Sequence, residues 1–170
     1  MAIYTLPGFP DSQTCVEYAV GVSRKKFLYP GVAQCLSLTG FNVSGLLGTH
    51  ISPGSTRLDI EGIMRALRAG GGENFPDWYI VGQFQEHFQH SRINWTSIKN
   101  IVKDLRKQLG KKANFYVFDT SPIVEKHDWA WGIDIQAEHT PFAAKFSYAK
   151  AKGPQSQPFT AITDGFIKMK

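Results

Sequence analysis

The thiol of Cys35 and the imidazole of His50, fifteen residues apart, are the pair in this sequence best suited to act together chemically. Ala33–Phe41 and Ser44–Ile51 are apolar runs of strand length, with Asn42-Val43 between them and Gly40 and Gly45 nearby. Two such runs around a two-residue loop read as a β-hairpin. With Asn42-Val43 as the loop, Phe41 faces Ser44, Leu38 faces Leu47 and Cys35 faces His50. Directly opposed residues share one face of the sheet, with Cβ atoms about 4.5–5.5 Å apart. Leu36, Leu38 and Leu47 then fall on the other face, toward a core. A one-residue slip of either strand would part the thiol from the imidazole.

A neighbouring imidazole can take the thiol proton, and the thiolate is the nucleophile. The same imidazole can later protonate a leaving group. That is acyl-transfer chemistry on an amide or an ester. The plainer alternative is a buried cysteine and a hydrogen-bonded histidine that only meet in a hairpin. Thr49, Ser52 and Ser55 flank His50 and suit either a substrate cleft or the exit of the hairpin. Cys15 reads as a structural thiol, and two cysteines alone cannot build a zinc site. His87 and His90, with Glu86 beside them, lack the further ligands a metal site needs. No cofactor is expected. Trp129 and Trp131 read as packing residues. Asp134 and His139 can orient another group, but nothing in the sequence ties them to Cys35.

The elements around this pair follow from period and caps. Residues 1–30 read as irregular, punctuated by Pro7, Pro10 and Pro30, with a weak helical pattern over about 12–22. A helix is expected over Arg57–Ala69. Thr56 caps it, Asp59 completes a capping box, and Ile60, Ile63, Met64 and Leu67 form its apolar face. Gly70-Gly71-Gly72 ends it and lacks the Lys-Ser/Thr of a phosphate loop. Trp78–Phe84 reads as a strand. Ser97–Leu109 reads as a second helix, with Ile98, Ile101, Val102, Leu105 and Leu109 inward and Gly110 as its stop. Asn114–Asp119 reads as a strand, and Trp129–Ile135, Ala144–Tyr148 and Phe159–Met169 carry weaker strand patterns. Ala151–Pro158 reads as a polar loop. Together these give an α+β fold with two main helices packed on the sheets.

The chain has 170 residues, of which 42% are hydrophobic and 19% charged. That suits one folded domain over 1–170 and excludes a mainly disordered chain. No apolar run reaches the ~18 residues of a membrane span. Residues 1–10 lack the basic and apolar regions of a secretory signal, so a cytoplasmic site of synthesis is expected. The net charge is +5. Much of it sits in Arg92, Lys99, Lys103, Arg106, Lys107, Lys111 and Lys112, opposed only by Asp104. This face reads as a solvated helix surface or as a dock for an acidic partner. Aromatic residues do not interleave with these charges, so nucleic acid is not favoured.

The stretch Gly31-Val-Ala-Gln-Cys35-Leu-Ser-Leu, followed by Gly45-Leu-Leu-Gly-Thr-His50-Ile-Ser-Pro53, resembles the CheD family of chemoreceptor glutamine deamidases. The later order of helix, Gly-containing strand (Tyr79-Ile-Val-Gly82), helix and strand is also similar, so the resemblance covers roughly residues 28–120. The cytotoxic necrotizing factor toxins carry a similar Cys–His pair. The resemblance implies a CheD-like layered β-sandwich and a cysteine-dependent protein glutamine deamidase. Its substrate is a protein that presents a glutamine. A short chain of this kind fits an effector or toxin, exported by a route that needs no signal peptide, as well as a housekeeping enzyme. Cys35 is then the nucleophile and His50 its base, while Gln34, Tyr29, Thr49 and Ser52 fall at oxyanion, orienting or cleft positions. CheD proteins place Gly just before the cysteine and Thr six residues before it; here those positions are Gln34 and Tyr29. The necrotizing factors orient the histidine with a backbone carbonyl, which here implies one near Leu28 or Tyr29. The alternatives are another cysteine acyl-transfer enzyme (a protease or transglutaminase) and a non-catalytic binding module on the same fold.

Overall fold

The computed structural model describes residues 2–110, 112–129, 132–151 and 158–170. In chain order the strands are β1 (Tyr4–Thr5), β2 (Ser12–Thr14), β3 (Ala19–Ser23), β4 (Lys26–Val32), β5 (Leu36–Asn42) and β6 (Gly45–Ile51), then helix α1 (Arg57–Ala69). There follow β7 (Asp77–Gly82), α2 (Phe84–His90), α3 (Ile98–Leu109), β8 (Asn114–Asp119) and α4 (Ser121–His127). The chain closes with β9 (Ile133–His139), β10 (Ala144–Lys150), β11 (Thr160–Ile162) and β12 (Ile167–Met169). Helices and two mixed sheets make the fold α+β.

One sheet has seven strands in the order β1-β3-β6-β5-β7-β8-β12, and the other has five in the order β11-β10-β9-β4-β2. Helices α1 and α3 cover one face of the larger sheet. Their apolar stripes (Ile60, Ile63, Met64 and Leu67; Ile101, Val102, Leu105 and Leu109) pack on Leu36, Leu38, Leu47 and Ile51. The other face of that sheet packs on the smaller sheet through Phe41, Leu46 and Val81 against Phe27, Tyr29, Ile133, Ile135 and Phe146. β5 and β6 are therefore buried on both sides, which accounts for their continuous apolar character.

Local signals place the two main helices. The Thr56 side chain accepts from the Asp59 amide while Asp59 accepts from the Thr56 amide, a capping box that satisfies exposed N–H groups. Ser97 caps α3 through the Asn100 amide, and Gly110 ends it. Helices α2 and α4 were not expected from the sequence. At seven residues each they are too short to show a period.

Three further expectations are corrected. Residues 1–30 are not irregular, and no helix lies over 12–22. They hold β1 to β3 and most of β4: β1 pairs parallel with β3 and β2 parallel with β4 inside the segment, while β3 pairs with β6 and β4 with the distant β9. The expected strand over Trp129–Ile135 begins only at Ile133. Phe159–Met169 is two strands, β11 on β10 and β12 on β8, in different sheets. Lys111, Trp131 and residues 152–157 of the expected polar loop lie outside the described residues.

The two sheets meet closely at Gly48. A Cβ there would run into the Tyr29 hydroxyl and approach the Phe27 ring to 3.2 Å. Both aromatic side chains are fully buried. Gly48→Ala should therefore cost about 1–3 kcal/mol by overpacking. Urea unfolding should show a lower midpoint with an unchanged slope, and a midpoint equal to wild type would contradict this packing.

Candidate active site

The hairpin forms, but its turn differs from the sequence expectation. Asn42 ends β5, and its Oδ1 accepts from the amides of Ser44 (2.8 Å) and Gly45 (3.1 Å). This side-chain turn makes Val43-Ser44 the loop and pairs Asn42 with Gly45. Every later pair moves with it. His50 stands opposite Ser37, not Cys35, and the last pair is Leu36 with Ile51. The shift equals two residues, the period of the pleat, so it preserves the faces. Cys35, one residue before β5, and His50 remain on the inter-sheet side as diagonal neighbours. Ser52, next after Ile51, takes the place opposite Cys35.

His50 is 2% exposed. Its Nδ1–H donates to the Cys15 carbonyl at 3.3 Å, since a carbonyl can only accept. This leaves Nε2 unprotonated, and Nε2 is buried without a hydrogen-bond partner. The orienting carbonyl is thus that of Cys15, not one at Leu28 or Tyr29. Leu28 acts one step back: its carbonyl accepts from the Cys15 amide at 2.8 Å. The Tyr29 ring meets the imidazole edge-on at 6.3 Å between centroids, while its hydroxyl is 2.7 Å from Thr39 Oγ1. Tyr29 therefore packs against His50 rather than holding it by a hydrogen bond.

Cys35 is 5% exposed and opens into a cavity of about 640 Å³. Gln34, Ser52, Gln83, Glu86 and Glu125 are among the residues lining it. Cys35 Sγ donates to Glu17 Oε1 at 3.3 Å. Glu17 also borders a shallower hollow of about 420 Å³ lined by His50, Tyr18 and Pro30. The carboxylate thus stands where the surroundings of the thiol and the imidazole meet. The sequence carries no signal for it, because Glu17 lies in a short irregular segment and reaches the site only through folding.

Of the remaining expected positions, Gln34 and Ser52 border the cavity. Thr49 does not. It pairs with Leu38 and Val20 on the helix-covered face and is fully buried there. Cys15 is buried, and its Sγ donates to the Ala19 carbonyl at 3.4 Å. His87 and His90 each use one ring nitrogen on a backbone carbonyl. His87 Nδ1–H donates to the Gln34 carbonyl at 2.9 Å, and His90 Nδ1–H to the Glu86 carbonyl at 2.9 Å. Among the described residues, no three His, Cys, Asp or Glu side chains gather as a metal group. His87 thereby fixes the peptide just before Cys35. Gly82 of β7 lies behind the cysteine, where a Cβ would come within 2.5 Å of the Cys35 carbonyl oxygen. Asp134 holds the preceding turn through the Gly31 amide at 2.8 Å.

Burial, then the Glu17 charge and its hydrogen bond, push the Cys35 thiol well above the ordinary cysteine range; Ser52 opposes this weakly. Burial pushes His50 below the ordinary imidazole range, against the pull of Glu17 and the Cys15 carbonyl. The resting site therefore holds a neutral thiol and a neutral imidazole with a free Nε2 lone pair. The thiol is hydrogen-bonded to Glu17 and not to His50, whose Nε2 has no partner among the described residues; the carboxylate of Glu17 lies between the two groups' surroundings. The chain matches no protein-family model and no curated protein, so the geometry carries the reading.

Cys35 should react slowly with iodoacetamide near neutrality, and its rate should climb into the alkaline range beyond that of a free cysteine. Cys15 should stay unlabelled, since burial pushes its thiol up as well. Peptide mapping across pH 7–10 checks both statements, and preferential Cys15 labelling would contradict them. His87 is pushed down by burial from the ordinary 6.5 to about 4. The unfolded chain then binds a proton that the folded chain refuses, so stability falls as pH drops through this window. Between pH 7 and 4.5 the loss from His87 should be about 2–3 kcal/mol. Urea unfolding of wild type and His87→Gln should show a flatter pH profile for the variant.

Proposed function

We propose that this protein is a cysteine-dependent protein glutamine deamidase of CheD-like or necrotizing-factor-like type, acting as an effector or toxin on a protein of another cell. The observation that carries the reading is the His50 imidazole. Its Nδ1–H is held by a backbone carbonyl and its Nε2 is free, on the same sheet face as Cys35. Cys35 attacks the carboxamide carbon while Nε2 takes the thiol proton. Nε2 returns it to the departing ammonia, then draws a proton from the water that cleaves the thioester. Developing charge on oxygen falls to the Cys35 amide and a side-chain donor of the cavity wall, for which Gln34, Ser52 and Gln83 are the candidates.

A second reading, a binding module, has its own observation. Lys99, Lys103, Lys107, Lys168 and Lys170 rim a cavity of about 750 Å³ whose floor includes Val102 and Met169. The acid of this helix, Asp104, is engaged by Arg57 at 2.6 Å and by Trp95 Nε1 at 3.2 Å. Charge complementarity suits this groove to an acidic protein segment. In the deamidase reading the same groove docks the substrate protein. No helix among the described residues is long and apolar enough to cross a membrane.

The test is mass spectrometry of a target-cell lysate incubated with the pure protein. Deamidation adds about 1 Da to a glutamine, because NH₂ becomes OH. Wild type should modify a single glutamine of a partner protein, without peptide cleavage or cross-linking. Cys35→Ser and His50→Ala should each lower the rate by on the order of 10³-fold or more, since the pair acts as a unit. Identical glutamine maps for wild type and Cys35→Ser would overturn the reading. Retained cellular effect in Cys35→Ser, with loss in Lys103→Glu/Lys107→Glu, would favour the binding module.

A further inference from the structure

We propose that Glu17 is the specificity residue of this site: its carboxylate accepts a hydrogen bond from the substrate carboxamide and turns away the carboxylate product. The inference rests on the deamidase reading, and its test does not depend on finding the target.

Reaction requires the carboxamide carbon to come within about 3–3.5 Å of sulfur. The amide nitrogen is one bond from that carbon. Glu17 Oε1, at 3.3 Å from Cys35 Sγ, can accept a hydrogen bond from that nitrogen when the carboxamide enters on the Glu17 side of the sulfur. A carboxylate only accepts, a carboxamide NH₂ only donates, and a glutamate product offers the site a second anion instead. Glu86 and Glu125 border the same cavity, and no lysine or arginine is among its lining residues. The site is thus locally anionic on a chain of net charge +5.

The chain also holds Glu17 there against a backbone preference. Tyr18 adopts φ +64°, a left-handed conformation uncommon for a residue with a side chain. Its amide donates to the His50 carbonyl at 3.1 Å, and the Ala19 amide closes the turn on the Val16 carbonyl at 3.0 Å. Glu17 itself makes a β-bridge to His50. One short turn therefore supplies both the carbonyl that orients His50 and the carboxylate beside Cys35. Strain of this kind persists where the surroundings over-determine it, as at functional sites.

In the proposed reaction Glu17 serves only as a hydrogen-bond acceptor, and the proton moves between sulfur, His50 and the leaving group. At rest the thiol donates to Glu17. The substrate NH₂ replaces the thiol as donor, and the thiol proton passes to His50 Nε2 as the S–C bond forms. The C–N bond breaks with that proton on nitrogen, releasing ammonia. Water adds to the thioester, Nε2 takes its proton, the C–S bond breaks and sulfur regains the proton. The glutamate formed then faces Glu17 with no donor to offer.

Iodoacetamide and iodoacetate make the test, because they differ as glutamine differs from glutamate. Each rate at Cys35 is scaled to the same reagent's rate on a free cysteine peptide. Wild type should favour the amide reagent by about tenfold or more, as expected for like charges held close near a protein surface. Glu17→Gln should bring the scaled ratio to within about threefold of unity, and Glu17→Asp should keep most of the preference. A wild-type ratio near unity, or an equal ratio in wild type and Glu17→Gln, would overturn the proposal. Ammonia release from glutamine peptides by the same preparations is scored separately. Its absence counts against the deamidase reading, whereas an unchanged reagent ratio counts against Glu17 alone.

Discussion

The hydrogen bond from His50 Nδ1 to the Cys15 carbonyl is the contact on which the site depends. A histidine this deeply buried must satisfy at least one ring nitrogen or bear a large desolvation cost. The partner sets the tautomer, so Nε2 is left as a lone-pair base. Cys15 can play this part because β2 runs parallel to β4, which fixes its amide on the Leu28 carbonyl. β4 in turn lies on β9 in the smaller sheet, while His50 lies near the end of β6, beside the central strand of the larger one. A single imidazole therefore reports the docking of one sheet on the other.

Electrostatics at this contact favour restraint over readiness. Burial opposes a thiolate and opposes an imidazolium, and Glu17 adds to the first effect while working against the second. Sulfur keeps its proton as long as the carboxylate is its nearest acceptor. In the proposed deamidation, a substrate carboxamide that engaged Glu17 would take that acceptor from the thiol and bring an electrophile to sulfur in the same movement. Under that proposal, activation of the thiol is coupled to occupancy of the cavity.

The helical layer serves this arrangement from behind. α1 and α3 bury Leu36, Leu38, Leu47 and Ile51, the residues alternating with Ser37 and His50 along β5 and β6. With that face packed, the strands cannot slip by one residue without driving His50 into an apolar core. Behind Cys35, His87 holds the Gln34 carbonyl, and the absent Cβ of Gly82 leaves room for the cysteine backbone. The basic rim of α3 lies on the side of that helix that the core does not use.

Much of this was legible in the chain because the information is local. Caps and a 3.6-residue period placed α1 and α3, and alternation around Asn42 to Gly45 marked the hairpin and set Cys35 and His50 on one face. The register was not legible. It turned on which atom the Asn42 side chain would cap, and the resulting displacement kept the faces only because it matched the pleat period. Residues 1–30 were unreadable for a different reason: β1 and β2 are two and three residues long, β3 and β4 are set by β6 and β9 outside the segment, and the parallel pairs β1–β3 and β2–β4 leave no turn signal between neighbours. Glu17 and the Cys15 carbonyl came to the site by the same route. A backbone carbonyl has no sequence signature, and a lone glutamate gains its meaning only from what folding puts 3.3 Å away. Residue chemistry and local period thus belonged to the sequence alone. The choice of neighbours belonged to the tertiary structure, because strand pairing is a long-range bond and no short window contains both of its ends.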